Sequence, residues 1–145
     1  MKNLFTCAVK NYWLIAIMLV MSSCHSSRTV AIEEGWELLG DKKVNFVRDK
    51  DDIPVKSRNE FTSLRFSVED RDIHLNDLKI YFANGDKLEP NIDDDIKAGE
   101  SSRLIELGRE GRSIDHIEFK YRTIGNILKG RAHVLVLGEK RYRGY

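Results

Sequence analysis

From Trp36 onward apolar residues recur mostly at every second position, and no stretch keeps a helical stripe for three turns. A period of two sends alternate side chains to opposite faces of an extended strand, so such a chain must bury one face of several strands against another sheet. Leu64, Phe66 and Val68 alternate with Ser63, Arg65, Ser67 and Glu69, and Leu78, Ile80 and Phe82 alternate with Lys79 and Tyr81. Ile117, Phe119 and Tyr121 share one parity and His116, Glu118, Lys120 and Arg122 the other. Ile114 is out of phase with the first set, which predicts a turn or bulge near Asp115. Arg131 to Leu137 is apolar on both parities from Val134, as expected of a central strand covered on both faces. With Trp36–Leu39, Val44–Val47 and Arg103–Leu107 the count reaches about seven or eight short strands, the pattern of an all-β chain folded as a single antiparallel β-sandwich. Asn84-Gly85 predicts a type I′ hairpin turn, in which both central residues take positive φ. Pro54 and Pro90 belong at strand edges or in loops, because proline cannot donate to a ladder.

The sandwich pattern begins only after a different kind of segment. Lys2 and Lys10 precede or border an uncharged apolar run, Tyr12–Met21, which ends in Ser22, Ser23 and Cys24. A spanning helix needs about 20 apolar residues, and this run is roughly half that, which is the layout of a secretory signal. Met21-Ser22-Ser23-Cys24 resembles a lipobox, in which an apolar residue and two small ones precede a cysteine that is lipidated and becomes the new amino terminus. Leucine is the commoner apolar residue at that place, so Met21 is a departure. Three parts are therefore expected: a cleaved signal peptide over 1–23, a lipidated Cys24 with a flexible tether over 24–34, and the β-sandwich domain over 35–145. His25 follows the cysteine where an aspartate would retain an enterobacterial lipoprotein in the inner membrane. The expected address is the cell envelope, at the outer membrane facing the periplasm. Cys7 and Cys24 are the only cysteines, so the mature domain has no disulfide and depends on its packed core.

Charge limits the partners. The 24 basic and 23 acidic side chains nearly cancel, unlike the strongly basic balance of a nucleic-acid binder. The charges are unevenly spread, with 12 basic and 18 acidic residues over 24–102 against 10 and 5 over 103–145. This asymmetry is explained by attraction between neighbouring strands of opposite sign. The sharper alternative is a basic carboxy-terminal surface, with Arg131, Lys140, Arg141 and Arg143 facing anionic lipid or acidic glycan.

Five segments carry a resemblance: Trp36-Glu37-Leu38-Leu39-Gly40, the DLKIYFA stretch at Asp77–Ala83, IKAGESSRLIEL at Ile96–Leu107, IEFKYRT at Ile117–Thr123, and AHVLVLG at Ala132–Gly138. Together they resemble the YaaI-like family of small bacterial envelope domains, whose function is unknown. The resemblance covers nearly all of the mature domain and implies a secreted single β domain with no catalytic residues to carry over. Family members have an ordinary periplasmic signal, so the lipobox sets this chain apart.

Few residue groupings suggest chemistry. Asp49, Asp51 and Asp52 form one acidic cluster and Asp93, Asp94 and Asp95 another, and a hard cation such as calcium wants several carboxylates converging from loops. The EF-hand spacing fails, because Ile53 and Pro54 stand where a ligand and a glycine are required. The plainer reading is turn-promoting solvated aspartates. His25, His74, His116 and His133 include no pair at metal-ligand spacing, although His116 and His133 with Glu118 form a site if their strands are neighbours. Gly99-Glu100-Ser101-Ser102 lacks the second glycine of a nucleophile elbow, and no phosphate-binding loop occurs. No cofactor is expected, and the chain is not expected to be an enzyme. Tyr81, outward and flanked by Lys79, is a candidate for stacking on a sugar or a partner, against the plainer reading of a cross-strand aromatic pair. The expectation is a non-catalytic interaction or structural module, held to the membrane through Cys24 and meeting an envelope protein or glycan. The alternative is a ligand-binding domain for envelope glycan or a divalent cation.

Overall fold

The computed structural model describes residues 32–44, 49–125 and 130–142. The expected signal peptide, Cys24 and the tether as far as Ala31 lie outside the described residues, as do Arg143 and the end of the expected Val44–Val47 strand. Ile32–Tyr145 forms a compact unit of its own. Nine strands are described: β1 (Trp36–Val44), β2 (Asp49–Pro54), β3 (Phe61–Glu69), β4 (Ile73–Phe82), β5 (Lys87–Leu88), β6 (Asp94–Ile96), β7 (Ile105–Glu106), β8 (Ile114–Thr123) and β9 (Ala132–Lys140). They build two antiparallel sheets. One runs β1-β9-β3-β7. The other runs β2-β8-β4, with β5 and β6 both paired to β4. The protein is an all-β sandwich.

The alternating residues meet in the middle. Leu64, Phe66 and Val68 of β3 and Val134 and Val136 of β9 are fully buried, as are Leu78 and Ile80 of β4 and Ile117 and Tyr121 of β8. Phe66 meets Phe119 edge to face at 5.6 Å between ring centres, joining the two sheets. Each such side chain stabilises the fold by roughly 1.5–3 kcal/mol relative to exposure. β9 is central as its sequence predicts: Leu135 and Leu137, on its other parity, are also buried, between Ser67 and Arg65 of β3 and Asp41 and Leu38 of β1.

Bulges reconcile the out-of-phase residues with one core. Tyr81 stands opposite His116 and Phe82 opposite Ile114, so Asp115 is the extra residue that returns Ile114 to the inner face. Asn76 does the same in β4 between Leu75 and Leu78, and Thr62 in β3 between Phe61 and Leu64. In β1 the register skips Leu39, which lets the strand continue through Gly40. Trp36–Leu39 and Val44 therefore belong to one strand, and the rest of the expected Val44–Val47 strand lies outside the described residues. Arg103–Leu107 contracts to the two residues of β7. The rest of that edge is covered by Gly99–Ser102, which exchanges backbone bonds with Phe66 and Val68.

The hairpin after β4 falls at Asn84-Gly85, but with a different turn from the type I′ expected. Phe82 N–H bonds Asp86 O, Gly85 N–H bonds Phe82 O, and among these loop residues only Gly85 has positive φ, at 88°. This is a three-residue loop, in which the glycine supplies the single left-handed position. Crossing from β3 to β4, Asp70 takes φ 68° and Arg71 N–H bonds Glu69 O, a γ-turn of the strained kind. It aims buried Arg71 at the β8–β9 connection, where the guanidinium donates to Ile124 O at 3.2 Å and Gly130 O at 3.4 Å.

The sandwich has two distinct ends. At the entry end Gly35 O accepts from Lys140 N–H, Trp36 opposes Glu139, Phe61 is bridged to Arg112, and Phe82 opposes Ile114. At the far end Val44 opposes Ala132, and Ile73 is flanked by Thr123 and Ile96.

Candidate functional site

The two acidic clusters do not come together. Asp49, Asp51 and Asp52 lie on a strand, β2, and not in the loop expected, while Asp93–Asp95 lead into and form β6. β8 and β4 stand between them, which at about 4.8 Å per strand separates the clusters by roughly 14 Å. Asp51 points toward the core and accepts from the Tyr121 hydroxyl at 2.6 Å, while Lys42 of β1 reaches it at 3.3 Å. Lys42 also donates to Asp52 O at 3.4 Å. In the second cluster His74 sits between Asp95 at Nδ1 (2.5 Å) and Asp93 at Nε2 (2.8 Å), and Arg103 Nε holds Asp94 at 3.0 Å. Among the described residues no three His, Cys, Asp or Glu side chains gather as metal ligands would.

The histidines separate as well. His116 lies on β8 and His133 on β9, strands of different sheets, so they are not the neighbours a two-histidine site requires. His133 Nε2 meets Asp41 at 3.0 Å, and His116 Nδ1 meets Asp115 at 2.7 Å. Ser102 is tied into the edge of β3: its hydroxyl oxygen accepts from Phe66 N–H and its hydroxyl donates to Arg103 O.

The outer face of the β2-β8-β4 sheet carries a charge ladder. Lys50 pairs with Glu118 at 2.9 Å, while Glu89 accepts from Lys87 at 2.6 Å and from Lys79 at 3.3 Å. The bond from Lys50 lowers the pKa of Glu118 and raises that of Lys50, with desolvation opposing both shifts. Glu89 is lowered first by Lys87 and then by Lys79, and Lys87 is raised by the same bond. Tyr81 stands in this ladder, stacked on His116 with ring centres 4.2 Å apart and planes 13° apart. One face of its ring is thus covered by a neighbour on the next strand, the cross-strand pair of the plainer expectation, and Lys79 is held by Glu89.

The sequence reading missed the surface at the entry end. A cleft of about 690 Å³ is lined by Phe82, Asn84, Asp86, Arg109 and Arg112 among others, and one of about 430 Å³ by Arg58, Asn59, Glu60, Lys140 and Arg141; Ser113 belongs to both. Arg112 lies over the Phe82 ring at 3.5 Å and bonds Asp86 at 2.6 Å. Arg58, Arg109 and Lys140 come from distant parts of the chain, so no spacing in the sequence signals their meeting.

Comparison with known proteins gives a family and little else. The sequence matches a family described as a domain of unknown function, DUF2541, over residues 13–138. No curated protein matches. Among solved structures the chain is similar to AlgX of Pseudomonas aeruginosa, at 12% identity with a TM-score of 0.47, covering 73% of this chain and 27% of that one. The chain belongs to the DUF2541 family of domains of unknown function.

Proposed function

We propose that this chain is a lipoprotein of the cell envelope: a non-catalytic interaction or structural module whose β-sandwich is tethered to a membrane by lipid on Cys24. One observation carries the reading. Cys24 directly follows an apolar run and two serines, and no cysteine follows it in the chain. Two acyl chains hold a protein to a bilayer stably, whereas one holds only reversibly. No helix among the described residues is long and apolar enough to cross a membrane. His25 after the cysteine favours the outer membrane, with the domain facing the periplasm. The YaaI-like kinship belongs to the same proposal.

The non-catalytic reading is supported by how the candidate groups are used. Ser102, Asp51, Asp94, His74 and Lys79 are each engaged by other groups of the chain. For the alternative, a glycan or cation ligand, the same engagement and the covered face of Tyr81 weigh against those residues. The test is fractionation of cells expressing the full chain and its Cys24→Ser variant. Membrane-bound wild-type protein and soluble, folded variant are expected; equal membrane retention of both overturns the proposal.

A further inference from the structure

We propose that the entry end of the sandwich is a docking surface for anionic phospholipid headgroups, contacted by Arg58, Arg109 and Lys140. This deepens the lipid-anchor reading, on which it rests for the identity of the membrane it meets.

The first observation is charge. The two entry-end clefts are lined by five cations, Arg58, Arg109, Arg112, Lys140 and Arg141, against three acids, Asp86, Glu60 and Glu110. Two of the acids are already matched, Asp86 by Arg112 at 2.6 Å and Glu60 by Arg141 at 3.0 Å. Arg58, Arg109 and Lys140 are exposed and have no ion pair among the described residues. Glu110 is the one lining acid left to oppose them.

Rigidity is the second observation. Arg109 is carried by the Gly108–Ser113 turn, closed by Gly111 N–H to Gly108 O at 3.2 Å. Gly111 has φ +72°, and a Cβ there would lie 2.8 Å from Arg141 Cδ and 3.1 Å from Glu60 Cβ. The turn is therefore seated on the Arg141–Glu60 pair, and its cation is held at the surface at little further entropic cost.

The third observation is position. The chain enters the domain at this end, through Gly35 bonded to Lys140. Seven residues, His25–Ala31, separate Cys24 from Ile32. Fully extended, that connection reaches at most roughly 28 Å. A lipid on Cys24 thus keeps these cations close to the headgroups, where each contributes about 1 kcal/mol near an anionic surface. At physiological salt that field fades over about 8 Å. The nine-residue β9 sets the far end roughly 27–30 Å away. The end that carries Arg58, Arg109 and Lys140 is thus the one that the connection from Cys24 brings to the surface.

Flotation with vesicles tests this on the lipid-free chain from His25 to Tyr145, which contains every core residue from Leu39 to Leu137. It should float with vesicles of equal parts phosphatidylcholine and phosphatidylglycerol, be released by salt, and ignore pure phosphatidylcholine. The Arg58→Glu, Arg109→Glu, Lys140→Glu triple variant should bind at least about tenfold more weakly. Lys97→Glu with Arg131→Glu, reversing two far-end cations, should bind as wild type. Far-ultraviolet circular dichroism confirms that each variant is folded. Equal partition of the two variants overturns the proposal, as does no preference for phosphatidylglycerol. Binding to soluble dextran sulfate with none to the vesicles also overturns it, and assigns the cleft to an acidic polymer. The assay contains no Cys24, so its failure leaves the anchor standing, and an unmodified Cys24 in cells leaves a positive flotation result standing.

Discussion

Tyr121 has a fully buried ring and a hydroxyl that needs an acceptor, and Asp51 supplies one while Lys42 balances the charge from the other sheet. Removing the carboxylate takes a charged acceptor from the Tyr121 hydroxyl, and a hydrogen bond to a charged group contributes about 1.5–3 kcal/mol. Asp51→Ala should therefore lower stability to urea by that amount. The double variant with Tyr121→Phe should be no worse than Asp51→Ala alone; additive losses would show the two residues to be uncoupled. A second residue-scale expectation concerns Glu118, whose pKa is lowered chiefly by its bond from Lys50. A lowered carboxyl stabilises the fold above its unfolded value and loses that contribution as pH falls through the lowered one. Lys50 is exposed and Glu118 only half-buried, so solvent screens the pair and the contribution is small. Lys50→Ala should move the Glu118 midpoint upward in a carboxylate-detected NMR titration, and an unmoved midpoint would contradict the pairing.

Elements were legible in the sequence where burial on one face fixed the parity. Leu64, Phe66 and Val68, the phase break at Ile114, and the doubly apolar β9 all follow from period two with one-residue bulges. β2 was not legible, because Asp51 occupies an inward position and reads as loop. Its acceptability depends on Tyr121, 70 residues away. The hairpin at Asn84-Gly85 was legible in place but not in type, since the loop has three residues and only Gly85 needs positive φ. Gly85→Ala should cost about 1 kcal/mol from strained backbone, read from the denaturation midpoint. Gly40 was also opaque: a Cβ there would sit 2.3 Å from Ile53 Cγ2, where β1 and β2 close the side of the sandwich. Gly40→Ala should destabilise by about 1–3 kcal/mol. It should cost clearly less in an Ile53→Ala background, and an equal cost in both backgrounds would refute this close approach.

For the whole molecule, the linear charge bias gave the wrong grouping. Arg131 opens β9 at the far end while Lys140 closes it at the entry end, so the basic carboxy-terminal run is divided by the length of a strand. The cations that do gather come from before β3, from before β8 and from the end of β9. Nothing short of the fold could bring them together. The proposed membrane attachment depends on what Cys24 carries. Intact-mass spectrometry of the processed chain recovered from membranes measures that directly. The expected mass is that of a polypeptide beginning at Cys24 with a diacylglyceryl group on the sulfur; a free thiol at Cys24, or a mature chain that begins elsewhere, would contradict the account.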